Sequence, residues 1–153
     1  MSKIVKLLYV LVLFSQQAMA DQAFPVAPAD ASAAAGAGLR RLDSSELQKA
    51  FSGERTEQDA RGKTYQATYG ADGSVILSNA SGLIDRGTFS VTRQAGGGVC
   101  LRLEQQMNQR MCAIWFGASD GIHLFGYDPR KGTLRAISRP ASEMTESSGN
   151  ATQ

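Results

Sequence analysis

Histidine, cysteine and tryptophan are scarce in this sequence, which has one His, two Cys and one Trp in 153 residues. His123 and two cysteines are too few for a typical zinc site, so we expect no metal and no other cofactor. His123 also lacks a recognisable nucleophile partner, because the chain has no GxSxG motif, no P-loop and no GxGxxG motif. We therefore expect a protein that is not an enzyme.

Long apolar runs are also absent. None reaches the roughly 18 residues of a transmembrane helix, so we expect no membrane span in the mature protein. Residues 1–20 instead have the parts of a secretory signal peptide: a basic start, an apolar stretch from Leu7 to Phe14, and a small-residue site ending at Ala20. We expect cleavage after Ala20 and export to the periplasm.

The chain without its predicted signal peptide has no excess of positive or negative charge. The formal net charge is +2, but Lys3 and Lys6 lie in the predicted signal, which leaves 14 basic and 14 acidic residues. A protein without a basic excess lacks the electrostatic footprint of nucleic-acid binding. We expect no nucleic-acid partner.

The two cysteines, Cys100 and Cys112, make an even count in an exported chain, so a disulfide is expected. Eleven residues separate them, unlike the CxxC spacing of disulfide oxidoreductases. This spacing favours a structural bridge across a hairpin.

Composition divides the rest of the chain into three parts. Residues 21–38 are rich in Ala, Pro and Gly and are predicted to be a flexible linker. Residues 39–140 are predicted to form one β domain, and residues 141–153 a disordered polar tail. The β domain begins with one short helix, for which Asp43 or Ser44 is the N-cap and Gly53 the stop.

After this helix the apolar residues alternate with period two, and turn residues recur every eight to twelve positions. About seven short strands are predicted, which begin near residues 64, 74, 87, 99, 110, 122 and 133. Short connections require antiparallel neighbours. The fold class is therefore mainly β, an antiparallel meander curled into a small barrel or a two-layer sandwich.

The order of these motifs resembles a family of small exported proteobacterial proteins that carry a domain of unknown function. The resemblance rests on the capped helix, Asp72-Gly73 at a hairpin tip, Gly87-Thr88-Phe89 opening a strand, and Cys100-Leu101 answered by Cys112. Phe89 stands where the family often has Trp. The likeness covers Leu42 to Tyr127 and implies an exported β-rich domain with a role in the cell envelope, without catalytic residues.

Two arginines and the tryptophan are the candidate binding residues. If Cys100 faces Cys112, then Arg102 faces Arg110, and like charges directly opposite destabilise a sheet unless something offsets them. The pair is either a solvated face or an anion site. Trp115 points away from the face of Cys112, so it either lies outside as a contact residue or is buried under the helix.

Three functions remain open. The first is a non-catalytic periplasmic binding or accessory protein that contacts a cell-envelope component or a periplasmic protein through its sheet surface. The second is a calycin-like carrier of a small apolar ligand, whose cavity would be lined by Tyr65, Phe89, Leu101 and Ile114. The third is an inhibitor of a secreted enzyme such as lysozyme. The loop at residues 105–109 argues against this function, because it has no acidic residue that could match a basic active-site cleft.

Overall fold

Eight antiparallel strands close into a barrel in which each strand pairs with its neighbour in sequence and β1 pairs with β8. The computed structural model describes residues 23–93 and 96–141, and every element lies within the compact unit Val26–Ser142. The elements are α1 (Ala31–Gly36), α2 (Ser44–Ala50), β1 (Gly53–Asp59), β2 (Thr64–Tyr69), β3 (Ser74–Asn79), β4 (Gly82–Thr92), β5 (Gly98–Leu103), a 3₁₀ turn (Glu104–Gln106), β6 (Arg110–Gly117), β7 (Leu124–Tyr127) and β8 (Leu134–Pro140). The predicted mainly β class is confirmed, and the sheet takes the barrel form.

The predicted count of seven strands misses β1. Its sequence, GERTEQD, has no apolar residue, so no alternation of apolar and polar residues marks it. Three polar residues of this strand, Arg55, Thr56 and Glu57, are nevertheless buried. β4 also begins at Gly82 rather than at the predicted Gly87.

Helix α2 forms as predicted. The Asp43 carboxylate accepts from the Glu46 amide, and the Glu46 carboxylate accepts from the Asp43 amide, which completes a capping box. Leu47 and Phe51 are buried, and the Phe51 ring lies 5.1 Å from Tyr69 and 4.9 Å from Trp115, centroid to centroid. The helix thereby closes the end of the barrel at which β2 and β6 finish.

The prediction that residues 21–38 form a flexible linker is wrong for residues 31–36, because these residues form α1. Asp30 caps this helix and forms a β-bridge with Thr133, and Ala34 is fully buried. Tyr127 donates its hydroxyl to the Pro28 carbonyl at 2.9 Å. Alanine favours a helix once a cap and a packing surface are present, although its low hydrophobicity leaves no apolar pattern in the sequence.

The signal peptide predicted for residues 1–20 lies outside the described residues, as does the predicted tail beyond residue 141. No helix in the described ranges, 23–93 and 96–141, is long and apolar enough to cross a membrane.

The Cys100–Cys112 disulfide is present, and the register of the β5–β6 hairpin is the predicted one. Cys100 pairs with Cys112 and Arg102 with Arg110. These four residues share the outer face of the barrel.

Candidate functional site

A cavity of about 730 Å³ lies inside the barrel and opens to solvent at the end opposite α2. We call this opening the mouth; the turns that follow β1, β3, β5 and β7 surround it. The volume falls within the usual range of small-molecule pockets. The apolar part of the wall comes from β3, β5, β6 and β8: Leu77, Val99, Leu101, Leu103, Met111, Ala113, Trp115 and Ala136.

Alternation along the strands explains this wall. Val99, Leu101 and Leu103 occupy every second position of β5, and Met111, Ala113 and Trp115 do so on β6. Period two places such residues on one face of a strand, here the inner one. A predicted alternation thus becomes the inner surface of the cavity.

A carboxylate lies in the opposite wall of the cavity. Glu57 on β1 is 2% exposed and accepts three hydrogen bonds: from Tyr69 Oη at 2.8 Å, from Tyr65 Oη at 3.0 Å and from Ser138 Oγ at 3.1 Å. Ser138 in turn accepts from Arg55 Nε at 2.6 Å. This polar network links three neighbouring strands, β8, β1 and β2.

Burial dominates the electrostatics of the polar network. It raises the pKa of the Glu57 carboxyl, although the two tyrosine hydroxyls, Arg55 and Ser138 favour the charged form. Burial and the nearby Glu57 also raise the pKa of both tyrosines, so they remain hydroxyl donors. The pKa of Arg55 is lowered by the same loss of water, which Glu57 partly offsets.

Trp115 does not lie on the surface. It is 5% exposed, lines the cavity and packs beneath α2, so the buried one of its two predicted placements is observed, and its role in binding stays a prediction. The indole Nε1 is buried and has no hydrogen-bond acceptor among the described residues. Buried donors without an acceptor are uncommon in folded proteins, and an oxygen atom of a bound molecule would provide one.

Arg102 and Arg110 are brought together as Cα partners, and both are exposed. Arg102 donates to the Asn108 carbonyl at 3.0 Å, within its own hairpin. Glu104, on the same hairpin, instead forms an ion pair with Arg86 at 3.2 Å. The pair remains a solvent-facing arrangement on the outer wall, away from the cavity, and anion binding there stays a prediction.

Two of the four residues named for an internal cavity do line it, Tyr65 and Leu101. Phe89 packs instead on the Tyr69 ring at 5.0 Å, and Ile114 lies on the outer face of β6. Glu57, the residue at the centre of the polar network, escapes sequence reasoning because β1 has no apolar marker. The one available signal in the sequence is that Tyr65 and Tyr69 are four positions apart in a predicted strand and therefore share one of its faces.

His123 lies just before β7, outside the cavity lining, and its Nδ1 is 2.5 Å from Asp120 Oδ2. Burial is the largest single effect on the pKa of the Asp120 carboxyl and raises it, but the hydrogen bonds from the backbone amides of His123 and Ile122 and from the His123 side chain together outweigh burial, so the pKa lies below its usual value. No group of three or more His, Cys, Asp and Glu side chains that could hold a metal ion occurs in the part of the chain that the structure describes.

Comparison with known proteins adds no relative: no family model matches the chain, and no curated protein or solved structure is significantly similar to it. The resemblance to exported proteins with a domain of unknown function therefore stays a prediction.

Proposed function

We propose that this protein binds a small, largely apolar ligand inside the barrel and serves as a carrier or binding protein of the bacterial cell envelope. The observation that carries the proposal is the cavity of about 730 Å³, which has one apolar wall and one polar wall. Closed antiparallel barrels of eight strands are suited to enclosing one small ligand.

Two features of the cavity support ligand binding over a simple packed core. A barrel core needs tightly packed apolar side chains, whereas this interior keeps an open volume beside a hydrogen-bonded carboxylate. The polar network fixes the Tyr65 and Tyr69 hydroxyls on Glu57, so the two rings are held in one orientation. Rigid walls reduce the entropic cost of binding.

The proposed location is the periplasm, which follows from the signal peptide predicted in residues 1–20. The Cys100–Cys112 disulfide fits an exported protein in an oxidising compartment. A partner bound through the outer sheet surface, at Arg102 and Arg110, remains a prediction with less support, because only Arg102 of the pair lines a cavity there, and that cavity, of about 290 Å³, is less than half the size of the one inside the barrel.

Native mass spectrometry of the exported chain, purified from a periplasmic extract without denaturant, tests the proposal. We expect a reproducible extra mass on the monomer. Trp115 is the only tryptophan, so quenching of its emission by an added apolar probe gives a second readout from the cavity itself.

A blocked cavity provides the control. Ala113→Phe places a ring inside the cavity, whereas Ile114→Phe adds a ring on the outer face of the same strand. We expect only the first to lose the extra mass and the probe response. If Ala113→Phe does not fold, Leu101→Phe is the second blocking variant. Unliganded wild type that binds no apolar probe would refute the carrier function.

A further inference from the structure

The charge around the mouth is concentrated on one side. Among the residues that line the cavity there, Arg61 and Lys63 belong to the β1–β2 connection, and Lys131 belongs to the β7–β8 connection. Because β1 pairs with β8, these two connections are neighbours on the rim. We call Arg61, Lys63 and Lys131 the basic rim.

The carboxylates near the basic rim are already engaged. Asp59 Oδ1 accepts the backbone amides of Arg61 and Lys63, both at 2.9 Å. Asp128 Oδ1 accepts the amides of Arg130 and Lys131, both at 2.8 Å, and its Oδ2 pairs with Arg135 Nη2 at 2.5 Å. Asp128 thus balances Arg135, while the three basic-rim side chains form no ion pair among those found in the described residues.

The other side of the rim has no charged residue among those that line the cavity, and Glu104 of the β5–β6 turn is paired with Arg86. The turn between β3 and β4 reads Asn-Ala-Ser-Gly over residues 79–82, and Leu83 and Ile84 follow it as exposed apolar side chains. Ile84 also lines the cavity. The mouth therefore presents a basic side and an apolar side to anything that enters.

The inside of the cavity, in contrast to the mouth, disfavours an anionic group. Glu57 lies in the wall beyond the mouth, and its two oxygens accept three hydrogen bonds from hydroxyl groups. An anionic head moved there would lose its water and be buried beside Glu57, while an apolar chain meets the leucines, Met111 and Trp115 without that cost. An anionic group is thus favoured at the mouth and disfavoured inside.

From this arrangement we propose that the ligand is an anionic amphiphile, whose apolar chain lies in the barrel and whose acidic head is held by the basic rim. This inference rests on the proposed function of the cavity. A carboxylate and a phosphate head share the recognised chemistry, since Lys and Arg attract both.

Trp115 fluorescence titration with four twelve-carbon probes tests the ligand class: dodecanoate, dodecyl phosphate, dodecanol and dodecyltrimethylammonium. The ionic probes are kept below their micelle concentrations and dodecanol below its solubility limit. At low salt we expect the two anions to bind at least about tenfold more tightly than dodecanol. This gap should narrow in 0.5 M salt, because exposed charges are screened. A preference between dodecanoate and dodecyl phosphate distinguishes a fatty-acid head from a phospholipid-like head.

The variant Lys63→Gln/Lys131→Gln removes two charges of the basic rim. We expect it to reduce the advantage of the anions over dodecanol to less than about threefold without changing dodecanol affinity. Lys49→Gln removes one lysine charge from the exposed surface of α2, at the closed end of the barrel, and serves as the control.

The outcomes separate the two proposals. If dodecanol binds and the anions bind no better, or if the cationic probe binds most tightly, the anionic class is wrong and the carrier function stands. If no probe binds, the carrier function itself fails. A double variant that keeps the full anion preference would also overturn the role of the basic rim.

Discussion

At the scale of single residues, Glu57 is the most consequential position, because it is a titratable group inside the barrel. The hydroxyl groups of Tyr65, Tyr69 and Ser138 all donate hydrogen bonds to its carboxylate. These bonds hold the two tyrosine rings in one orientation. Isolated charges in protein interiors are costly, so such a residue persists where hydrogen bonds compensate it.

Stability should depend on pH through this carboxyl. Burial raises the pKa of Glu57 above its ordinary value of 4.5, so the folded state holds the proton more strongly than the unfolded state. The resulting stabilisation is present below about pH 4.5 and is lost as the pH rises through the folded pKa. We expect the free energy of unfolding of wild type, relative to Glu57→Gln, to fall between pH 4 and pH 8.

Urea unfolding at several pH values measures this difference. Glu54→Gln, at an exposed carboxylate of the same strand, controls for the loss of one negative charge. A wild-type advantage over Glu57→Gln that grows with pH would contradict a raised pKa.

A second residue-scale prediction concerns Gly126 on β7. A Cβ at this position would lie 2.7 to 2.8 Å from three ring atoms of Trp115, so Gly126→Ala must displace the indole or the strand. We expect a loss of about 1–3 kcal/mol in unfolding free energy, as for other overpacked cores, with a shift in Trp115 emission. Gly36→Ala, where no atom lies within 4 Å, is the matched control, and equal effects of both substitutions would refute the packing argument.

At the scale of elements, the β5–β6 hairpin is the part of the fold that the sequence pattern predicts most completely. Alternation and the cysteine pair predict its strands, its disulfide and its register, because a pleated strand has a strict period of two. The same reasoning fails for β1, where Arg55 and Glu57 are buried through hydrogen bonds with other strands. The local sequence GERTEQD contains no pattern that predicts these partners on β2 and β8.

The disulfide of this hairpin should contribute to stability by restricting the unfolded chain. Its cysteines are 12 positions apart, and closing a loop of this size corresponds to about 2–3 kcal/mol in the chain-entropy model. We expect Cys100→Ala/Cys112→Ala to lose about that much in denaturant unfolding while keeping the barrel. Reduced wild type should match the variant; a variant as stable as the oxidised protein would contradict the expectation.

At the scale of the whole molecule, the segment before α2 covers part of the outer wall of the barrel. Phe116, Phe125, Tyr127 and Ile137 face outward yet are buried. The segment contacts this region through the Arg41–Phe116 and Asp30–Thr133 bridges and through the Pro28 carbonyl. The barrel thus has one core inside and a second apolar layer outside.

Removal of residues 21–38 should expose this outer layer. We expect a loss of about 2 kcal/mol or more, the order of exposing one large aromatic side chain, together with increased binding of an apolar dye. Tyr127→Phe removes only the hydroxyl that donates to Pro28, so its effect should be near 1 kcal/mol and without dye binding. A truncated chain with wild-type stability and no dye response would show that the cover is dispensable.

The sequence by itself determined the mainly β class, the position and cap of α2, the disulfide and the hairpin register, since each follows from contacts between residues close in the chain. Only the tertiary structure decided that the sheet closes, that Trp115 lies inside, that residues 31–36 form a helix against the wall, and that Glu57 meets Tyr65, Tyr69 and Ser138. Closure depends on the pairing of β1 with β8, across some eighty residues. Local periodicity carries no information on such a pairing, and the cavity with its basic rim exists only because of it.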